Sequence, residues 1–308
     1  MITQEELNHL VEIAKPTARK GQVASYIPAL AKADAHDLAA AVYREDGTLI
    51  SAGQDEKPFT LQSVVKVLCL ALAIMDRGTD YVFARVGMEP TGDPFNSIGK
   101  LETRKPAKPL NPMINAGALA VTNMLHGATV QEKLGRLLAF VHDLAGNVSI
   151  VFNETVASSE NKTSYLNRSL CYFMKQHDII TEDVDETIDF YTKMCAIEVN
   201  CRDLARIGAV LANDGNDPES DRKIIPGQIV RILKTFMVTC GMYNASGEFA
   251  MRVGMPAKSG VSGAILGTVP AGGGIGIYGP ALDEKGNSVA GVKLMELLSV
   301  QYGLSIFA

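Results

Sequence analysis

The spacing of apolar residues changes period several times along the chain. Residues 4–14 place Leu7, Leu10 and Val11 on one helical face, and Thr3 with Glu6 has the spacing of a capping box. From Leu38 to Ala52 two short apolar stretches flank Glu45-Asp46-Gly47-Thr48, and Asp-Gly in that setting predicts a β-hairpin. Between about Leu61 and Gly241 helical patterns dominate, at 62–76, 115–126, 130–145, 164–176, 185–195, 201–213 and 226–238. After Gly247 three short β-rich stretches follow, Phe249–Val253, Ala264–Val269 and Gly274–Tyr278, and a helix over about Ser288 to Tyr302 closes the chain.

Strands at both ends and helices between them predict an α/β (α+β) fold with an antiparallel sheet flanked by helices. The hairpin connections are too tight for parallel crossovers. The sheet domain is expected to be discontinuous, over residues 1–60 and 245–308, with a large helical insertion over 61–244 and an active site at their interface.

Composition narrows the function. Of 308 residues, 47% are apolar and 20% charged, which gives an ordinary globule with ample core. The formal charge of −5 argues against nucleic acid as a partner. The one basic run, Arg104, Lys105 and Lys108, is interrupted by Pro106 and Pro109 and reads as a solvated loop. The longest apolar run, Val67 to Met75, is far shorter than the ~20 residues of a membrane span. The N-terminus carries no basic-then-apolar leader pattern. Five cysteines without a CxxC pair, several inside apolar segments, are expected to be reduced, and together these features predict a cytoplasmic protein. The acidic cluster Glu182, Asp183, Asp185 and Glu186 reads as a helix N-terminus, since no paired histidine makes it a metal site. No metal and no cofactor are expected.

Catalytic chemistry enters with Ser-x-x-Lys. On a helix this spacing brings both side chains to one face, about 5–6 Å apart at Cβ, where a desolvated lysine can take the serine proton. The pattern occurs at Ser63/Lys66, Ser97/Lys100, Ser159/Lys162 and Ser220/Lys223. The last lies in a charged loop, the second is glycine-containing and loop-like, and the third is polar throughout. Ser63 alone opens a helix that is apolar on every side except at Lys66, so that helix must be buried. A snorkelling lysine is the bland alternative. Lys258-Ser259-Gly260, entering the predicted strand at Ala264, matches the Lys-Thr-Gly element that penicillin-recognising serine enzymes pair with Ser-x-x-Lys. A plain turn before a strand is the alternative there.

Other signatures fail in context. Gly274-Ile-Gly276-Ile-Tyr-Gly279 fits a dinucleotide fingerprint, but the residues themselves read as a strand and Pro280 follows. There is no G-x-S-x-G elbow, and the five histidines are scattered, which leaves neither a zinc site nor a Ser-His-Asp triad.

With these residues in hand, the chain resembles the serine-dependent glutaminases, relatives of β-lactamases and transpeptidases in fold. The resemblance runs from about Gly21 to near the C-terminus. It rests on Ser25-Tyr26, Phe59-Thr-Leu-Gln62-Ser63-Val-Val-Lys66, Glu89-Pro-Thr-Gly92, Phe95-Asn96-Ser97, Asn111-Pro-Met-Ile-Asn115-Ala-Gly117, Ser159-Glu160, Asn167, Tyr191 to Cys195, Gly241-Met-Tyr243, Pro256 to Val261 and Gly286-Asn287-Ser288. Thr91 stands where relatives usually carry serine, a harmless exchange of small hydroxyl residues. The resemblance implies hydrolysis of L-glutamine to L-glutamate and ammonia, with Ser63 as nucleophile, Lys66 as base and Tyr243 as proton relay to the departing ammonia. It implies an oxyanion hole from the backbone N–H groups of Ser63 and Val261, an α-ammonium site at Glu160, and a polar shell of Tyr26, Asn115, Asn167 and Tyr191. A homo-dimer or homo-tetramer is implied as well. Singly, Asn115 could be a helix cap, Asn167 a surface amide and Tyr191 core packing. Seven residues separate Glu160 from Asn167, so both face one pocket if a single helix carries them. Two rivals stay open: a β-lactam-reactive or peptidase-like acyl enzyme, and a non-catalytic amino-acid-binding module.

Overall fold

Period-two alternation in the hairpin builds the sheet. In strand β1 (Ala39–Tyr43), Ala39, Ala41 and Tyr43 enter one hydrophobic core, while Ala40 and Val42 enter a second core on the opposite face. The computed structural model describes residues 2–103, 107–269 and 273–308, so Arg104, Lys105 and Pro106 of the basic run lie outside the described residues, as does the Lys100 side chain. Strand β2 (Leu49–Ala52) pairs with β1, with Ala41 opposite Ser51. The C-terminal strands β5 (Ala257–Ser259), β6 (Ala264–Val269) and β7 (Gly273–Tyr278) complete a five-stranded sheet of order β2-β1-β7-β6-β5, antiparallel throughout. A two-stranded ribbon joins β3 (Phe59–Thr60) to β4 (Glu198–Val199).

The helices α1 (Gln4–Ala14) and α13 (Val289–Tyr302) cover one face, packing Leu7, Leu10, Leu294 and Leu298 on Ile265, Ile275 and Ile277. Thr3 and Glu6 form the expected capping box. Between the sheet segments come α2 (Val65–Arg77), α3 (Thr79–Arg85), α4 (Gly99–Thr103), α5 (Asn115–Thr122), α6 (Val130–Ala145), α7 (Glu154–Thr163) and α8 (Tyr165–Gln176). They are followed by α9 (Val184–Cys195), α10 (Cys201–Ala212), α11 (Gly227–Cys240) and α12 (Ser246–Arg252). Asp183 caps α9 through the N–H groups of Asp185 and Glu186, so the acidic cluster is a helix start.

Helix α10 lies directly on the second face of the sheet. A Cβ on Gly274 would stand 2.0 Å from the Ala205 carbonyl, and one on Gly276 2.1 Å from that of Cys201. Of the glycines that mimic a dinucleotide fingerprint, Gly274 and Gly276 lie within β7 and let a helix touch a strand, and Gly279 follows the strand.

One expectation fails and one condition is not met, each for a physical reason. Residues Phe249–Val253 are not a strand, because Ser246–Arg252 forms α12. Phe249 and Val253 are buried one helical turn apart while Met251 is 90% exposed, and a run this short fits either period. Ser159 to Lys162 belongs to α7, a helix whose polar sequence hides it: only Val156, Ala157 and Glu160 are buried. That helix ends at Ser164 and α8 begins anew, so Glu160 and Asn167 stand on two helices rather than one.

The close approach of α10 makes a stability test. Gly274→Ala is expected to lower stability by about 2–3 kcal/mol through overpacking. Gly135→Ala, in the exposed middle of α6 with nothing near its Cβ, should raise it by about 0.5–1 kcal/mol. Chemical denaturation of the two variants gives both signs, and equal effects would contradict the packing.

Candidate active site

The turn that carries Ser63 grows from the small ribbon. The Leu61 N–H donates to the Ile197 carbonyl at 2.8 Å, and residues 62–64 make one tight turn before α2. Gln62 is held at φ +46°, a region that non-glycine residues rarely occupy. Its buried amide reaches Thr60 Oγ1 at 3.4 Å and the Cys195 carbonyl at 3.5 Å. Ser63 therefore enters a helix whose residues from Val65 to Ile74 are all buried.

Lys66, one turn on, is 1% exposed. Its Nζ donates to Asn115 Oδ1 at 2.7 Å and to the Met113 carbonyl at 3.3 Å. A neutral amine has two N–H bonds, and these acceptors occupy both, which leaves the lone pair to take a proton. Burial pulls the Lys66 pKa down to about 8, against the opposing influence of Cys195 and the Glu160 carboxylate.

Asn115 sits at the first position of α5 and is not its cap, which is Ile114. Its Nδ2 donates to Asn167 Oδ1 at 3.0 Å, and the Tyr191 hydroxyl donates to its Oδ1 at 3.4 Å. Asn167 is buried, not a surface amide, and Tyr191 joins core packing to a polar contact in the site. Glu160 is buried, and its Oε2 has no hydrogen-bond partner among the described residues. Burial pushes the Glu160 carboxyl up to about 7, while a hydrogen bond from Gln62 and the charge of Lys66 pull the other way. Tyr26 stands on the lip, 55% exposed.

The opposite wall comes from the sheet edge and the corner after α11. A Cβ on Gly260 would lie 2.6 Å from the Leu61 carbonyl, and Ser262 Oγ donates to the Thr60 carbonyl at 2.6 Å, so the end of β5 is pinned to the Ser63 turn. Neither the Ser63 nor the Val261 backbone N–H has a protein acceptor among the described residues, so both are available to an oxyanion. Tyr243 is hydrogen-bonded to Ser63 and donates to the Ser259 carbonyl at 3.2 Å, from a backbone held at φ +54°. Lys258 is 0% exposed, donates to the carbonyls of Gly241 (3.1 Å) and Ser259 (2.7 Å), and lies 4.4 Å from the Tyr243 ring centroid. Burial, then the positive charge of Lys66, hold its ammonium far below the ordinary lysine range. Ser259 Oγ is buried without a partner among the described residues.

Of the sequence-derived site residues, Tyr26, Ser63, Asn115, Glu160, Asn167, Tyr191 and Val261 line one cleft, Lys66 stands behind Asn115, and Tyr243, Lys258, Ser259 and Gly260 stand behind the opposite wall. The structure adds Gln62, Phe95, Asn96 and Cys195 to the lining. Cys195 had a readable signal, since it follows Tyr191 by one helical turn on α9. A larger depression of about 280 Å³ lies against α12 and α13, but its lining holds no serine, cysteine or tyrosine.

Residues 21–307 match the sequence profile of the glutaminase family. A glutaminase of Geobacillus thermodenitrificans is 63% identical over 304 residues, which cover 99% of this chain and 98% of that one. The chain belongs to the glutaminase family. A probable glutaminase from Bacillus subtilis complexed with 6-diazo-5-oxo-L-norleucine is 42% identical, with a TM-score of 0.91 over 98% of this chain and 96% of the other. The covalent complex of the Bacillus subtilis glutaminase YbgJ with 5-oxo-L-norleucine, formed by reaction with that diazo compound, is also 42% identical, with a TM-score of 0.90 over 98% and 99% of the two chains. The β-lactamase-like fold expected from the sequence is that of these glutaminase structures.

Two buried amines give this glutaminase-family chain a pH signature in stability. The unfolded chain keeps Lys66 protonated to about pH 10.5 and the folded chain only to about 8. Each such lysine therefore contributes a rise in stability with pH across that window, by up to ~1.4 kcal/mol per unit, while the buried thiols Cys69, Cys171, Cys195, Cys201 and Cys240, whose pKa burial raises, contribute the opposite slope above about pH 9. Lys66→Met removes one of these contributions, so its stability should gain less, or lose more, with rising pH than that of the unsubstituted protein, as read by urea melts of both between pH 8 and 10.5. An unchanged slope would place the amine in water.

Proposed function

We propose that the protein hydrolyses L-glutamine to L-glutamate and ammonia through a γ-glutamyl ester on Ser63. The observation that carries this reading is the sequestered Lys66 amine, both N–H groups engaged, one helical turn from a serine at the base of a cleft. Lys66 takes the Ser63 proton as Oγ attacks the carboxamide carbon. The N–H groups of Ser63 and Val261 receive the oxyanion. Tyr243 relays a proton to the leaving nitrogen, the C–N bond breaks, and ammonia departs. Water then attacks the ester, the C–O bond to Ser63 breaks, and the serine recovers its proton.

Selection follows from the far end of the cleft. The unpartnered Glu160 Oε2 suits an α-ammonium, and the linked amides of Asn115 and Asn167 with the Tyr191 hydroxyl suit the α-carboxylate end. Tyr26 on the lip orients the ligand. This free-amino-acid geometry favours glutamine over a β-lactam or a peptide. The same reading places the cleft between a sheet unit of residues 1–60 and 245–308 and a helical unit of 61–244, in a cytoplasmic dimer or tetramer. No helix among the described residues is long and apolar enough to cross a membrane.

Ser63→Ala should lower ammonia release by at least ~10⁴-fold while glutamate binding, followed by calorimetry, persists. Wild-type turnover in that variant, or turnover of a chromogenic cephalosporin without turnover of glutamine, would discard the assignment. The unprotonated form of Lys66 is the active one, so kcat/KM should rise about tenfold per pH unit towards the Lys66 pKa of about 8 and level off above it. Below about 7 the climb should be steeper, because Glu160 must also be ionised to hold the ammonium. A flat profile would rule out the neutral-base mechanism.

A further inference from the structure

The cleft and a second, much smaller cavity share one wall. Phe95 borders both, and its ring lies against Tyr243, centroids 4.7 Å apart. Gly286 packs where Phe95, Tyr243 and Val261 meet, so a Cβ there would touch all three at 3.5–3.8 Å. On the cleft side of this wall stands Ser63. On the other side the cavity is bordered by Tyr243, Thr91, Asp93, Thr239 and Asn244, and it opens at the exposed residues Thr239 and Asn244. It leaves about 10 Å³ for the centres of water-sized molecules, which is room for one molecule of water or ammonia. Its lining is mixed: Phe95, Met113, Ile114 and Cys240 give it an apolar part, and the hydroxyls, amides and carboxylate beside them offer the acceptors that ammonia and ammonium require.

The reaction gives such a cavity a use. Once the glutamyl group is esterified to Ser63, its chain fills the cleft between the serine and Glu160. The leaving nitrogen is then on the Tyr243 side, with the acyl group between it and the mouth of the cleft. We propose that the cavity behind Phe95 and Tyr243 is a site for ammonia and other small amines, through which the leaving group departs and small nucleophiles reach the ester. The proposal rests on the acyl-enzyme reading above. The Phe95 ring, which is partly exposed and borders both spaces, is the barrier that a passing amine would displace.

Hydroxylamine tests this directly. Its nitrogen attacks the ester carbonyl, the C–O bond to Ser63 breaks, the serine oxygen regains a proton, and γ-glutamyl hydroxamate forms in place of glutamate. The ratio of hydroxamate to glutamate reads how well an amine competes with water for one intermediate, and it is indifferent to how much active enzyme is present. Thr239→Phe and Asn244→Phe narrow the mouth of the cavity from two separate elements, α11 and the corner after it. Each is expected to lower the ratio at least threefold at fixed hydroxylamine, with the glutamine KM little changed. An unchanged ratio in both variants would overturn the proposal, because amines would then enter by the cleft. If Asn244→Phe disturbs its neighbour Tyr243, Thr239→Phe alone decides. No hydroxamate from the wild-type protein, with glutamate still formed, would instead count against the acyl-enzyme itself, so the two failures are distinguishable.

Discussion

Everything in this site depends on keeping one amine dry and supplied with acceptors. A buried lysine ammonium is costly in an apolar interior, and no carboxylate makes a salt bridge to Lys66 among the described residues. The Asn115 amide and the Met113 carbonyl satisfy two N–H groups and no more, which favours the neutral amine. Asn115 can do this only because its own Nδ2 is turned away to Asn167 and its Oδ1 faces both Lys66 and Tyr191. The protonation state of Lys66 is thus set by three helices at once, α2, α5 and α8, with α9 contributing the tyrosine.

The same constraint accounts for strain beside the site. Gln62 and Tyr243 both take positive φ without being glycine, a choice that costs on the order of 1–3 kcal/mol each. Each residue is over-determined by neighbours: Gln62 by Thr60, Cys195 and Glu160, Tyr243 by Ser63, Ser259, Phe95 and Lys258. A relaxed backbone at either position would turn a site group away from the Ser63 hydroxyl. Strain and the buried amines are stabilised elsewhere, by the α10 contact with the sheet and by the apolar sheath of α2.

Much of this was legible from residue order. The capping box, the Asp-Gly hairpin, the strands 264–269 and 274–278 and the long amphipathic helices all have local signals that tertiary packing reinforces. Ser63 and Lys66 stood out because, of the four Ser-x-x-Lys matches, only theirs opens a helix apolar on every side except at the lysine. Three kinds of feature were hidden. Helix α7 buries too few side chains to show a period, although it carries Glu160. The stretch at Phe249 is too short to separate a period of two from one of 3.6. The partnership of Asn115 with Lys66 spans 49 positions, and no local pattern encodes it. The glycines of β7 illustrate the converse, a strong motif whose cause is a helix pressed on a strand.

In the proposed reaction, the polar end of the cleft couples to Lys66 in a way that makes selectivity and reactivity one property. Glu160 and Lys66 sense each other's charge. The carboxylate helps to keep the lysine protonated, and the lysine helps to keep the carboxylate ionised. A ligand bringing an ammonium group to Glu160 cancels the negative charge that Lys66 feels, which lowers the lysine pKa further and releases its proton. A ligand without that group leaves Oε2 buried and unpaired and leaves the base partly protonated. It loses twice, once in binding and once in the fraction of enzyme able to attack. In the proposed reaction, an amide whose ammonium sits at the right distance is therefore both the tightest fit and the compound that readies its own nucleophile.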